Sequence, residues 1–412
     1  MTGALHQVIF VLIFVFAIGM LAGKLASATR LPDVALFLAA GMLVGPGLGL
    51  LHVESESMTN QLILTLGATI ILFDGGRNIR LSGLGKVWIS VTLLSVPGVL
   101  ITCAAVAVSA HLLLGLPWMY ALLLGSIIAS TDPATLIPVF KQVRIRTKVR
   151  ETVESESAFN DATGSILTFS VLGVIAGGQE LSIASGVWDF VKTAVGGLAV
   201  GAVIGYVLTY LTAHRRLGFL RDYATIAMVV TALGAYLIGD MLHVSGFMAT
   251  FTAGLIWGNA ETFKLDMNDK LHEIGHFTEN ITVIMRMLIF ILLGSQVRFG
   301  EMVQHLWAGL AVVAIFMLVG RPLTVFLCAA PDRRAKWTLK ELLFMCWVRE
   351  TGVIPAALSG MIAGMADVAH KDVLASVTFL AVLVTILIQA STTGIVARRL
   401  GLELKHGQTG HE

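Results

Sequence analysis

The chain alternates long apolar runs with short polar segments. An α-helix needs about 20 mostly apolar residues to cross the hydrocarbon core of a bilayer. Runs that meet or approach that length lie near residues 6–27, 32–51, 58–75, 87–113, 118–140, 155–177, 186–213, 222–241, 244–259, 277–297, 302–329, 339–364 and 371–397. The pattern predicts an all-α polytopic membrane protein of about 13 transmembrane helices. The polar segments support that number. Of the 28 Lys and Arg residues, 22 fall in the segments after odd-numbered runs or in the C-terminal tail, and two (Arg298 and Lys371) after even-numbered ones. Lys and Arg favour the cytoplasmic side, and one run more or fewer would carry every later segment across the membrane. The expected topology has the N-terminus outside and the C-terminus, with a short tail over 398–412, in the cytoplasm of a prokaryotic plasma membrane. No basic residue precedes the first apolar run, which favours a retained span over a cleaved leader.

Composition agrees with this pattern and narrows the function classes. Hydrophobic residues make up 56% of the 412 and charged ones only 13%, too few to cover a soluble protein of this size. A soluble enzyme on one anchor is excluded. The formal net charge of +2 gives no electrostatic basis for a nucleic-acid partner. Cys103, Cys328 and Cys346 each lie in an apolar run without metal-ligand spacing and read as buried thiols.

Thirteen spans can be two inverted six-helix repeats and one connecting span, an architecture of secondary transporters. The fifth and twelfth spans would then correspond. The fifth holds Thr131-Asp132-Pro133 and then Pro138. The twelfth holds Arg349-Glu350-Thr351-Gly352 and then Pro355. Proline removes a backbone donor and crowds the preceding turn. Such interruptions persist at membrane depth only where protein or a water-filled cavity satisfies the freed groups. Paired interruptions therefore predict two discontinuous crossing helices and a binding site between them.

Ionisable residues inside spans are costly and are functional candidates. Asp132 lies in the fifth span, Glu156 and Asp161 in the sixth, Arg321 in the eleventh, and Arg349 and Glu350 in the twelfth. Glu156 and Asn160 are four residues apart and share one helix face; Ser157 and Asp161 share the adjacent one. Glu156 and Asp161 are about 140° apart at 100° per residue, so they serve different purposes. Glu156 needs a partner, and an arginine from another span such as Arg321 is the economical choice. Asp161, with Ser157 one turn below, offers oxygen ligands suited to a hard monovalent cation. It can hold a proton or that cation, but not both. Such competition, in a site open to each side in turn, exchanges cations for protons.

Two other classes compete. His272-Glu273-Ile274-Gly275-His276 matches the H-E-x-x-H pattern of zinc proteases, with Asp74 as a conceivable third ligand. Against it, the motif falls in a polar segment with Asp266, Asp269 and Lys270, and Gly275 weakens the helix that must align both histidines. Its histidines also read as a solvated pair titrating near neutral pH. The other class is an ion channel, but no ring or filter of the usual kind is legible.

The stretch from Ala129 to Thr163 resembles the first monovalent cation/proton antiporter family, the NhaP-type sodium/proton exchangers related to the animal NHE exchangers. The matching residues are Ser130-Thr131-Asp132-Pro133 and Glu156-Ser157-x-x-Asn160-Asp161. Asp240-Met241-Leu242-His243-Val244-Ser245-Gly246, Gly320-Arg321 and Trp347-x-Arg349 add further matches. The resemblance implies a homodimer, with a dimerisation part over about 6–86 and 180–300 and a core transport part over about 87–178 and 301–397. It implies Asp161 as the carrier of cation and proton. Glu156 and Ser157 help to coordinate the ion, Thr131 contributes its backbone carbonyl, and Asp132 acts directly or through water. Asn160 orients the broken helices, and Arg321 pairs with Glu156. An asparagine–aspartate pair is associated with electroneutral exchange, which fits one deep titratable group per cycle. No cofactor is implied. The expected cargo is sodium (or lithium), with potassium as the alternative. One departure stands out: Glu350 follows Arg349 where the family has glycine.

Overall fold

A computed structural model of the protein describes residues 2–29, 32–51, 53–85, 87–131, 145–177, 183–213, 218–265, 267 and 270–403. Among these residues nine helices are long and apolar enough to cross a membrane, and four shorter apolar helices accompany them. Each apolar run read from the sequence overlaps one of them. The structure is thus all-helical as expected, its one extended pairing among the described residues being an isolated bridge between Ile145 and Glu403.

The described helices sort into two compact units. The first comprises residues 1–64, 86–164 and 287–412, and the second residues 65–85 and 165–286. In the first, the helices Pro97–Leu114 and Trp118–Ile128 pack on each other, and Pro97–Leu114 also packs on Leu306–Ile315 and Arg321–Cys328. A close joint lies between Asp33–Met42 and the end of Leu271–Ser295. A Cβ on Gly41 would stand 2.3 Å from the Ile291 carbonyl oxygen, and one on Gly294 would stand 2.4 Å from that of Leu38. Only glycine lets two backbones approach this closely, the usual way helices associate in lipid.

In the second unit Ile183–Ala213, Ala224–Met241 and Gly246–Gly258 form a three-helix cluster. Gly197, Gly201 and Gly205, spaced one turn apart, give Ile183–Ala213 a flat stripe. Ala249 and Ala253 of Gly246–Gly258 lie against it. Ser245 caps that helix, its hydroxyl accepting from the Met248 amide at 3.0 Å.

The twelfth apolar run is interrupted, as its sequence predicts. Helix Leu339–Trp347 stops, residues 348–352 are non-helical, and helix Val353–Ala363 resumes. Pro355 sits in the first turn of that second helix, where its missing N–H is no loss. The break therefore precedes the proline. In the fifth run, helix Trp118–Ile128 ends before Thr131. Asp132, Pro133 and Pro138 lie outside the described residues.

The loop between Cys328 and Leu339 is fastened in the first unit by Asp332. Its carboxylate accepts from the amide (3.1 Å) and hydroxyl (2.6 Å) of Ser90, and from the amides of Arg334 (2.9 Å) and Ala335 (3.3 Å). The Ser90 amide belongs to the first turn of helix Trp88–Ser95, so Asp332 caps that helix from a remote segment. Burial pushes the Asp332 carboxyl up, but these hydrogen bonds outweigh it and hold the group below the usual carboxylate range. Because the folded value is depressed, the stabilisation is complete above the ordinary carboxylate value near pH 4 and is lost as pH falls through the lower folded value. Asp332→Ala is expected to cost about 1–3 kcal/mol at neutral pH. In thermal unfolding of the purified protein, its gap from wild type should close below about pH 4. A gap unchanged down to pH 3 would contradict an ionised cap.

Candidate functional site

The break of the twelfth run meets the end of helix Trp118–Ile128 in the first unit. The guanidinium of Arg349, in the break of the twelfth run, donates to the carbonyl of Ala129, just past the end of helix Trp118–Ile128. A cation at the C-terminal end of a helix complements its dipole and satisfies a carbonyl that the ended helix leaves without an internal donor. Arg349 also donates to the Thr102 hydroxyl at 3.3 Å and lies over the Phe316 ring, 5.0 Å from its centroid. Thr102 is joined in turn to Thr324 at 2.9 Å.

Helix Thr147–Gly177 supplies the acidic face. Asn160 binds Thr131, just past the end of helix Trp118–Ile128, with two hydrogen bonds. Its side-chain oxygen accepts from the Thr131 amide at 3.0 Å, and its amide nitrogen donates to the Thr131 hydroxyl at 2.8 Å. That hydroxyl is also 2.7 Å from the hydroxyl of Ser157. Thr131, Ser157 and Asn160 are thus one buried network. Asp161 follows Asn160 and stands one turn above Ser157; it is 6% exposed. Gly164, one turn further, leaves room for Ser130, whose buried hydroxyl has no hydrogen-bond partner among the described residues.

Glu156, on the same helix, is engaged by an arginine. Both of its carboxylate oxygens bind Arg321: Nη2 donates to Oε2 at 2.9 Å, and Nη1 donates to Oε1. The pair is almost fully buried. Arg321 further donates through Nε to the Met345 carbonyl at 2.8 Å and through Nη2 to that of Val348 at 3.5 Å. It therefore ties the acidic helix to the first half of the twelfth run and to its break. Arg321 follows a π-helical turn, Phe316–Gly320, which resets the helix phase just before it.

Several polar groups at the break had no place in the sequence reading. The Thr351 amide donates to the Thr385 hydroxyl at 3.0 Å, and the Gln389 amide donates to the Trp347 carbonyl at 2.8 Å. The Thr393 hydroxyl donates to the Gln389 carbonyl at 2.7 Å and lies 3.5 Å from the Glu350 carboxylate. Thr385 and Gln389 lie in a second π-helical turn, Thr385–Ala390. Their spacing of four was the available signal: Thr385, Gln389 and Thr393 form a polar line along the last span. Among the other sequence candidates, Asp132 is not among the described residues. Glu273 of the H-E-x-x-H segment turns to Lys270 at 3.1 Å, and Asp74 pairs with Arg77 at 2.8 Å, so neither is presented as a metal ligand.

The Arg321–Glu156 geometry makes a stability prediction. Removing one partner of a buried pair strands a charge, at a cost of about 3–5 kcal/mol, whereas replacing both is far milder. Arg321→Met and Glu156→Gln should each sharply lower the unfolding temperature in detergent, and the double variant should recover much of the loss. Additive losses in the double variant would mean that the two residues are not coupled.

Comparison with known proteins follows the same lines. The family described as "Sodium/hydrogen exchanger, transmembrane" matches residues 10–399. The K(+)/H(+) antiporter NhaP of Alkalimonas amylolytica is 30% identical over 408 residues, covering 97% of this chain and 68% of that one. The Na(+)/H(+) antiporter 1 of Methanocaldococcus jannaschii is 29% identical over 413 residues, covering 94% of each. The solved structure of the sodium proton antiporter MjNhaP1 from that organism, at pH 8, superposes with a TM-score of 0.85 at 27% identity, over 96% of this chain and 99% of that one. This is a family of secondary transporters, which removes the protease and channel readings. The chain, an integral membrane protein, belongs to the sodium/hydrogen exchanger family.

Proposed function

We propose that the protein exchanges sodium for protons, one for one, by alternating access, with Asp161 as the group that carries each in turn. The observation that carries this reading is the position of Asp161. It is a buried carboxylate beside the Thr131–Ser157–Asn160 network, where a broken helix exposes backbone and hydroxyl oxygens. A monovalent alkali cation is a hard ion that favours oxygen donors. Asp161 supplies the charge, and Ser157 and Thr131 supply neutral oxygens. A proton on Asp161 removes the charge that draws the cation, so the two cargoes exclude each other.

The neighbouring residues divide the remaining work. Asn160 holds the break open in one geometry, since it binds both the amide and the hydroxyl of Thr131. Glu156 and Arg321 form a fixed pair that joins the moving parts of the core. The core transport part comprises about 87–178 and 301–397, and the dimerisation part about 6–86 and 180–300, with two copies forming a homodimer. The protein lies in a prokaryotic plasma membrane with its C-terminus in the cytoplasm, the orientation that places most of its basic residues there. Potassium is the second reading, favoured by one observation: relatives named as K(+)/H(+) antiporters match as well as those named for sodium.

Purified protein in liposomes carrying a trapped pH indicator tests the reading. Added Na⁺, Li⁺ or K⁺ should drive proton movement, and the ion with the lowest half-saturating concentration identifies the cargo. Asp161→Asn should abolish the response, because an amide can neither ionise nor release a proton. Wild-type exchange by that variant would remove Asp161 from its role. Asn160→Ala should reduce exchange by about ten-fold or more through the loss of two hydrogen bonds at the break. It should leave the response to a clamped membrane voltage unchanged.

A further inference from the structure

The helices Pro97–Leu114 and Arg321–Cys328 touch through buried polar and small residues. Thr102 and Thr324 are joined at 2.9 Å, and a Cβ on Gly98 would stand 2.7 Å from the Thr324 methyl group. On the outside of the same pair lies an open cleft of about 580 Å³. Ile101, Ala104 and Val108 form one wall, and Val319, Leu323 and Leu327 the other. Its lining extends over residues 101–113 and 315–327, about 18 Å along each span at 1.5 Å per residue. Every lining side chain is apolar except Ser109, whose hydroxyl is spent on the Val106 carbonyl at 2.8 Å.

The two ends of the cleft differ in charge. Leu327 lies next to the last residue of its helix, and the loop that follows is folded back by Asp332. That carboxylate binds Ser90, at the start of the span that forms the other wall, so the loop ties together the ends of both spans. The loop presents Arg333, Arg334 and Lys336 to the surroundings, and Lys340 follows, also exposed. The single acid in residues 328–340 is Asp332, which is buried and committed to these hydrogen bonds. At the opposite end, residues 111–118 and 302–312 contain no Lys or Arg.

We propose that this cleft is a lipid site: one acyl chain of an anionic phospholipid lies in it, and the headgroup phosphate meets Arg333 and Arg334. The length of the lining suits one leaflet, half of a hydrocarbon core about 30 Å thick. A flat helix face touches a chain on one side, whereas a cleft touches it on two and gains correspondingly more dispersion contact. Basic groups beside a span draw anionic lipid, and a guanidinium fork matches phosphate oxygens. The Asp332 hydrogen bonds hold the loop in place before the lipid arrives, so little order is lost on binding. A seated chain packs behind the Thr102–Thr324 joint and braces the two spans on which Arg349 leans. The site is independent of which cation is carried.

The test separates a seated lipid from the surrounding bilayer. Protein stripped of lipid in a neutral detergent receives dioleoyl phosphatidylglycerol, dioleoyl phosphatidylcholine or inorganic phosphate. Native mass spectrometry counts the bound molecules, and thermal unfolding is followed in parallel. Wild type should retain one phosphatidylglycerol per chain, with a preference over phosphatidylcholine of about ten-fold or more. Its unfolding temperature should rise with that lipid and not with inorganic phosphate. Ala104 is exposed in the cleft, so Ala104→Phe fills the space without disturbing the helix joint. This variant should lose the retained lipid and its stabilisation, while unfolding like wild type in lipid-free detergent. Arg333→Gln combined with Arg334→Gln should hold the two lipids alike. Should Ala104→Phe fail to fold, Val108→Trp, on the same exposed face, makes the same decision. Equal retention of the two lipids by wild type, or undiminished retention by the filled cleft, overturns the proposal. So does stabilisation by inorganic phosphate equal to that by the lipid, since the acyl chain would then contribute nothing.

Discussion

A charge inside hydrocarbon persists only where protein groups replace the water it has lost. The Arg321–Glu156 pair is where this constraint is met most completely. Both oxygens of the carboxylate and three nitrogens of the guanidinium are engaged, and the guanidinium also binds two backbone carbonyls. The pair joins a long acidic helix to a helix that breaks. Its cost of burial is recovered only while every one of those contacts is made, so it fixes the relative position of the elements that make the site. Arg321 needs the Met345 and Val348 carbonyls, and Val348 is where the helix Leu339–Trp347 has already ended. The ion pair and the break therefore stabilise each other.

The second constraint is the backbone. Ending a helix inside a membrane exposes carbonyls at one end and amides at the other. Here side chains take both. Arg349 donates to the carbonyl of Ala129, and Asn160 accepts from the amide of Thr131, two residues later. A positive group faces the end of one helix, and a neutral amide binds Thr131 just beyond it. An aspartate at 160 could accept from the Thr131 amide but could not, when ionised, donate to the Thr131 hydroxyl. The choice of asparagine thus keeps the turn satisfied without a second titrating charge.

Much of this was legible in the sequence. The apolar runs and the one-sided distribution of Lys and Arg set the elements, because burial in lipid leaves a long, local signature. The break near Arg349 was legible from charged residues and glycine in an apolar run, although Pro355 sits inside the following helix and not at the break. The Glu156–Arg321 pair could be suspected from the need of one buried charge for another. Less local features left no such trace. The contact of Arg349 with Ala129 is made to a backbone atom, which no residue type announces. The π-helical turns before Arg321 and around Gln389 change the phase of their helices by a fraction of a turn, below what periodicity in an almost uniformly apolar segment can register. The polar line Thr385–Gln389–Thr393 was visible but had no partner until the fold brought residues 347–351 beside it.

On the proposed reading, in which the exchange falls to Asp161, the same hydrogen bonds explain why its neighbours do not share it. Glu156 cannot release Arg321 without stranding a buried guanidinium, and Asn160 cannot turn from Thr131 without opening the break. Arg349 is held by a carbonyl that has lost its helical donor. Each of these groups is committed by the cost of the state it would leave behind. Asp161 lies directly after Asn160 and one turn from Ser157, next to the residues so committed. On the proposed reading, the surrounding network is rigid so that the single carboxylate beside it can change its cargo while the fold around it does not change.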